Sequence, residues 1–241
     1  MSWRTVVISK NAKLDYQLGY LVIRMEETTK IHINEIMVLI LESTAISLTG
    51  YLLCELIKKK VKVVFCDEKR NPCSELTPYY GSHDTSIKIK NQIGWGKDIK
   101  TTVWTEIVTE KIQQQSELLK NKKKVEWELL EKYMGEIVFG DQTNREGHAA
   151  KVYFNALFGL SFTRNLDIPT NAALNYGYGL LLSMFNREIA ANGYLTQLGL
   201  YHDNMFNPFN LASDLMEPYR ILVDEIVFDM LPQALEHDDK V

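Results

Sequence analysis

The pattern of apolar residues changes once along this chain, and that change limits the fold more than any single motif. Up to residue 66, short runs rich in β-branched residues ("RTVVIS", "YLVIRM", "TKIHI", "IMVLIL") are punctuated by polar and turn residues, as strands are. One stretch, "SLTGYLLCELIKKK" at 47–60, instead spaces Leu52, Leu53, Leu56 and Ile57 as a helix does and gathers its lysines at the negative end of the helix dipole. "VKVVFCD" returns to strand. "EKRNPCSELTPYYGSHD", 68–84, holds two prolines and a glycine and predicts an interdomain linker. Beyond it the periodicity is helical, over 103–119, 125–137, 144–159, 169–193 and 208–230. The fold class is α+β. A small β-rich domain covers 1–80, linker included, and a larger all-α-helical domain covers 81–241.

The chain has 241 residues, 46% hydrophobic and 24% charged, with a net charge of -4. That is an ordinary globular composition. It excludes a uniform basic coat but not a local basic groove. Cys54, Cys66 and Cys73 are odd in number and loosely spaced, which argues against a disulfide framework and a zinc site. Reduced thiols predict a cytoplasmic protein. The opening "MSWRTVVISKNAKL" lacks the apolar core of a secretion signal. No run reaches the roughly 20 apolar residues that span a bilayer, so no membrane role is expected.

Three places carry candidate chemistry. In 208–230, Leu211, Leu215, Tyr219, Leu222 and Ile226 recur at intervals of three or four and predict a packed stripe. Asp214 and Glu217 lie off that stripe, three apart, within reach of each other. Two like charges so close repel unless a cation joins them. Pro218 cannot donate to the carbonyl of Asp214 and opens the helix there, which can aim both acids into a cleft. A solvated acidic face is the other reading. His202, in "LGLYHDNMFNPFNLASDL", offers a nitrogen ligand, or it bonds the helix start. Glu146, in "DQTNREGHAAKVYF", sits beside Gly147, Ala149 and Ala150. These small residues let a helix or a nucleic-acid backbone approach closely; an exposed helix glutamate is the alternative. A set of one nitrogen and two oxygens suits Mg²⁺ or Mn²⁺ better than a structural zinc site. Arg145, Lys151, Arg164, Arg187 and Arg220 fall in the same half. Arginine forks match phosphate oxygens, although Arg220 also fits an ion pair with Glu217.

Taken together, "NREGHAAKVYFNALFG", "DIPTNAALNYGYGLLLSMFNREIAANGY" and "GLYHDNMFNPFNLASDLMEPYR", in this order, resemble the CRISPR-associated spacer integrases, the Cas-one proteins. The branch found beside the Cas-nine effector nuclease is the nearest, and "WRTVVISKNAKL" and "CDEKRNPCSELTPYYG" fit it as well. The resemblance implies an N-terminal β domain and a C-terminal helical catalytic domain. It implies a homodimer, two of which flank a dimer of the small Cas-two protein. Its metal-binding residues fall on Glu146, His202 and Glu217, with Asp214 in support. Its implied reaction joins the 3′ ends of a double-stranded prespacer to the leader–repeat DNA of a CRISPR array by transesterification, using Mg²⁺ or Mn²⁺. Other adaptation proteins and Cas-nine are implied as further partners. Two other functions use the same residues: a metal-dependent nuclease that hydrolyses DNA, and a non-enzymatic scaffold that binds DNA ends.

Overall fold

The computed structural model describes residues 2–78 and 84–238, and of 231–238 the backbone only. The expected boundary between residues 80 and 81 therefore lies outside the described residues. The chain forms two compact units: Met1–His83 with Asn186–Gly193, and Asp84–Phe185 with Tyr194–Val241.

In the first unit, β1 (Arg4–Ile8), β2 (Ala12–Gln17), β3 (Tyr20–Arg24), β4 (Thr28–His32), β5 (Ile36–Leu41) and β6 (Ile46–Leu48) precede α1 (Gly50–Lys58), which is followed by β7 (Lys62–Cys66) and β8 (Pro72–Glu75). One sheet runs β1-β5-β7-β8 and the other β4-β3-β2-β6. β1, β5 and β7 pair in parallel. β5 is central, and nearly every residue of "IMVLIL" is buried, as a strand covered on both faces requires. β2 and β3 form a hairpin whose two turn residues, Leu18 and Gly19, have φ of 49° and 89°. Left-handed turn residues match the twist of a tight hairpin. Thr49 caps α1 by accepting the Leu52 N–H at 3.2 Å. Leu52 and Leu56 then enter a core with Val6, Ile8, Leu14, Leu21 and Leu39 from both sheets.

One expectation needs correction. The stretch 68–84 is not all linker, because β8 pairs antiparallel with β7 through Val64↔Glu75 and Phe65↔Ser74. Pro72 is tolerated there because β8 is an edge strand and Pro72 is its first residue.

The second unit is helical: α2 (Thr85–Ile93), α3 (Lys97–Asn121), α4 (Trp127–Gly135), α5 (Arg145–Phe158), α6 (Pro169–Ala191), α7 (Asn210–Leu215) and α8 (Ile221–Asp238). The last residues of α6, from Asn186, belong to the first unit. Trp104, Val108, Ile112 and Leu119 of α3 pack on Leu130 of α4 and on Ala149, Tyr153 and Leu157 of α5. A second core gathers Phe162, Leu174, Tyr178, Met216 and Val227. The α+β expectation holds, with strands confined to residues 4–75 and helices following. Among the described residues no helix is long and apolar enough to cross a membrane.

The stripe expected along 208–230 does not pack as one face. Leu211 is buried, but Tyr219, Leu222 and Ile226 are each more than half exposed. A short 3₁₀ turn, Glu217–Tyr219, separates α7 from α8, and it carries Pro218. The turn rotates α8 out of phase with α7, so one 3.6-residue period cannot be run through both. Met216 and Val227 take the buried positions, and so do the acids Asp214 and Glu217.

Candidate active site

Glu146 is positioned by the start of α5. The Asp141 carboxylate accepts the N–H of Arg145 at 2.8 Å and of Glu146 at 2.9 Å. This satisfies two of the donors that a helix N-terminus leaves free. Ala149, fully buried in the core shared with α3, lets that helix approach. The approach brings Lys111 of α3 to Glu146. Its Nζ lies 2.5 Å from Glu146 Oε1 and 2.6 Å from Glu217 Oε2. One ammonium thus joins two acids 71 residues apart in the chain.

Glu217 is held from both sides. Its other oxygen accepts from Arg220 Nε at 3.0 Å and Nη2 at 2.9 Å. Burial pushes the Glu217 carboxyl up, but the cations Lys111 and Arg220 outweigh burial and hold it below the usual range. Burial likewise lowers Lys111, and the charges of Glu217 and Glu146 more than reverse it. Glu217 is therefore ionised and Lys111 charged at neutral pH, the arrangement in which their burial is tolerable.

His202 sits on the loop before α7. Asp214, with no exposed surface, organises that loop. Its Oδ2 accepts the N–H of Leu200 at 2.6 Å and of Tyr201 at 3.1 Å. Its Oδ1 takes the His202 N–H at 3.2 Å and lies 2.5 Å from Nδ1. With Nδ1 committed, Nε2 is the nitrogen left to face a cation, as in carboxylate–histidine pairs that support metals. The hydrogen bond to Asp214 raises the His202 pKa against the opposing effect of burial, and the charges of Asp214, Glu217 and Glu146 add to the rise. Gly199 is required beneath the loop: a Cβ there would lie 2.3 Å from the His202 carbonyl oxygen and 2.9 Å from Asp214 Oδ2.

Beside His202 lies a cavity of about 550 Å³, lined by Trp95, Lys97, Lys100, Trp104, Tyr201 and His202 among others. Trp104 and Tyr201 stack with centroids 4.3 Å apart and planes 2° from parallel. Trp104 is buried and Tyr201 exposed, so the tyrosine presents an outer face on a rigid backing. Lys97 and Lys100 bring positive charge to the same wall.

The five other basic candidates divide. Arg220 is committed to Glu217 and lies over the Tyr178 ring at 4.7 Å. Arg164 donates to Asn171 and Asn175, both at 2.6 Å. Arg145 pairs with Glu136 at 3.0 Å and lies over Tyr133. Arg187, in the first unit, pairs with Glu188 at 2.8 Å and reaches the Lys60 carbonyl. Lys151 is exposed on α5. Arg220 thus acts first on Glu217, as ion-pair spacing allows. Arg220→Lys is expected to lower stability by about 1 kcal/mol, because lysine cannot reproduce the guanidinium fork on the Glu217 carboxylate. Denaturant melts check this; an unchanged midpoint would contradict it.

Behind Arg220 and Arg164, Asp224 accepts the hydroxyls of Tyr153 (2.9 Å) and Tyr178. Burial pushes its carboxyl up to about 6, against the lowering effect of the tyrosines and of Arg220 and Arg164. The folded state therefore binds this proton more tightly than the unfolded state. Stability from this group is present at low pH and is lost as pH rises through about 6. Relative to Asp224→Asn, the wild-type chain should lose on the order of 3 kcal/mol between about pH 4 and pH 7. Denaturant melts of both proteins across that range test it, and parallel profiles would contradict it.

Lys111, Gly199, Lys97, Lys100 and Tyr201 are absent from the expectations drawn from sequence. Lys111 left a signal: it falls three residues after Val108 and four before Gln115, on the stripe that buries Trp104, Ile112 and Leu119. A lysine on a buried stripe calls for an acidic partner. Among the described residues, no group of three His, Cys, Asp or Glu side chains is arranged to hold a metal ion as it stands. Glu146 and Glu217 converge on the Lys111 ammonium, and His202 lies within their field.

Strands thus precede a helical unit in which Glu146 and Glu217 meet on Lys111 and His202 is held by Asp214. The family model for CRISPR associated protein Cas1 matches residues 5–239, and the chain belongs to that family. It is 35% identical over 236 residues to a CRISPR-associated endonuclease Cas1 of Neisseria meningitidis serogroup C (strain 8013), spanning 97% of this chain and 78% of the relative. Its fold matches a CAS1 protein from Thermotoga maritima with a TM-score of 0.78 at 19% identity, over 96% of this chain and 79% of that one. It also matches a casposase bound to integration product, with a TM-score of 0.78 at 18% identity, over 97% and 74%. A partial Cas6-RT-Cas1–Cas2 complex gives 0.63 at 19% identity, over 97% and 77%.

Proposed function

We propose that this chain is a cytoplasmic, divalent-metal-dependent DNA integrase of CRISPR spacer acquisition. It joins the 3′ ends of a short duplex to the repeat of the array. The observation that carries the reading is the convergence of Glu146 and Glu217 on one cationic centre, with the Nδ1 of nearby His202 fixed by Asp214. A site that already gathers a cation between two carboxylates, with a histidine nitrogen to spare, fits Mg²⁺ or Mn²⁺ by donor chemistry. Glu146, Glu217 and His202 would hold the ion, which would lower the pKa of an attacking hydroxyl and stabilise charge on the phosphate.

The chain's own residues do the remaining work. A 3′-hydroxyl of the prespacer attacks a phosphodiester of the repeat, and the repeat strand leaves with a 3′-hydroxyl of its own. One phosphodiester forms as another breaks, so no external energy source is needed. Arg220 and Asp214 fix Glu217 and His202 before substrate arrives, which moves their ordering cost out of the reaction. Lys97 and Lys100 suit the backbone of an incoming strand, and the outer face of Tyr201 suits a splayed terminal base.

The Neisseria relative bears the name endonuclease, and solved neighbours include a Cas6-RT-Cas1–Cas2 complex and a casposase bound to integration product. These support DNA and a Cas2-type protein as partners of this chain, in the branch beside Cas-nine. A homodimer through the β-rich unit accords with its exposed Trp3, Val7 and Tyr51. The test is a joining assay with a labelled prespacer, a supercoiled repeat plasmid and the Cas2 partner. Labelled plasmid that requires Mg²⁺ or Mn²⁺ is expected. Nicked plasmid without label would favour a hydrolytic nuclease, and DNA binding with neither product would favour a scaffold.

A further inference from the structure

We propose that Lys111 is an internal counter-cation: its ammonium occupies the place between Glu146 and Glu217 that a divalent ion takes, so ion binding is an exchange rather than the filling of a gap. The inference rests on the metal-binding reading of Glu146 and Glu217 given above. Its basis is geometric. Lys111 Nζ meets Glu146 Oε1 and Glu217 Oε2 at 2.5 and 2.6 Å, and Lys111 is, with Lys62, one of two buried lysines among the described residues. An ion such as Mg²⁺ takes oxygens at about 2.0–2.1 Å. The same two oxygens need to close on it by about half an ångström each. Both cations cannot share that place, because they would repel at contact distance in a buried setting.

The exchange solves a problem that the site poses. Two carboxylates converging in a partly buried site are costly without a cation. The lysine holds them in place when no ion is bound. Exchange then requires a second acceptor for the ammonium. Gln115 stands four residues further along the same face of α3, and side chains so spaced are neighbours. Its side-chain oxygen is buried and has no hydrogen-bond partner among the described residues. Helical side chains lean toward the N-terminus, so Gln115 leans toward Lys111. The Gln115 oxygen is thus the acceptor proposed for the ammonium once it leaves the two glutamates.

The exchange separates Lys111 from an ordinary buried strut. A strut that merely holds the two acids together predicts that its removal weakens ion binding. A competitor predicts the reverse. The experiment is Mn²⁺ titration of the full-length chain, followed by calorimetry and by the loss of the free-ion spin-resonance signal, in the wild type, Lys111→Met and Lys111→Gln. Lys111→Met should bind Mn²⁺ at least tenfold more tightly, equivalent to about 1.4 kcal/mol. It should also melt lower than the wild type in EDTA and recover more on adding Mn²⁺. Lys111→Gln, which keeps a polar group without the charge, should tighten Mn²⁺ binding in the same direction and carries the test if Lys111→Met does not fold. Equal or weaker binding by the variants overturns the exchange while leaving the metal site intact. A Glu217→Gln control separates the two ideas. If the wild type binds no Mn²⁺, or if Glu217→Gln binds it as well as the wild type, the metal-site reading fails and the exchange falls with it.

Discussion

Glu217→Gln and Glu146→Gln should each abolish most DNA joining, by about 10³-fold or more, while prespacer affinity changes by less than about threefold. On the proposed mechanism the two effects separate, because the acids would act on charge that develops during the reaction, whereas phosphate contacts by lysines would hold the duplex throughout. Glutamine keeps the shape and removes the charge, so packing around the site is largely preserved. Glu217 should be the more sensitive of the two in stability. It is nearly buried and serves both Lys111 and Arg220, and its replacement leaves two cations facing a neutral group. Glu146 is about a quarter exposed, and water can take over part of its role. Single-turnover joining and equilibrium binding, measured on the same preparations with folding confirmed by thermal melts, decide the matter. Parallel loss of binding and joining would move both acids from chemistry to architecture.

Asp214→Asn should be nearly as damaging, by a different route. Among the described residues, Asp214 accepts three backbone N–H groups, of residues 200–202, and pairs with the His202 ring. An asparagine NH₂ in either orientation sets a donor against a donor in a fully buried place. The expected cost is on the order of 3 kcal/mol of stability. Joining should fall at least about 10- to 100-fold, as when the carboxylate behind a metal-bound histidine is lost. Its signature is in the pH profile. The hydrogen bond to Asp214 raises the His202 pKa, and a protonated imidazole cannot bind a metal. Joining by the wild type should therefore fall, as pH drops, at a midpoint above the ordinary histidine value. In Asp214→Asn the midpoint should move down. A variant with reduced activity and an unmoved acid limb would show that Asp214 braces the loop without setting the state of His202.

The partition into a β-rich and a helical part was legible because periodicity is a local property, and α1, α3 and α5 bury the faces that their patterns expose. The last helix departs from its sequence pattern for a physical reason. The apolar period runs on across Pro218, and the 3₁₀ turn at Glu217–Tyr219 shifts its phase. The buried state of Asp214 and Glu217 follows from that shift and from partners outside the segment. Lys111 remained hidden because its meaning depends on α3 meeting both Glu146 and Glu217, contacts 35 and 106 residues distant. Gly199 was hidden likewise, since its need for no side chain comes from a loop folding back on itself. Arg145, Arg164, Arg187 and Arg220 illustrate the limit of charge counting. Each has a partner within the chain; Lys100, which lines the cavity beside His202 with Lys97, itself donates to the Gly199 carbonyl at 3.0 Å.

The central claim is that Glu146, His202 and Glu217 hold one divalent ion at the place where the chain gathers its two acids. Anomalous diffraction at the manganese edge, from crystals of the chain grown with Mn²⁺, tests it most directly. The account predicts one strong peak about 2.0–2.3 Å from carboxylate oxygens of Glu146 and Glu217 and from Nε2 of His202. Saturating Mn²⁺ with no peak at these residues, and the two glutamates still joined by Lys111, would contradict it.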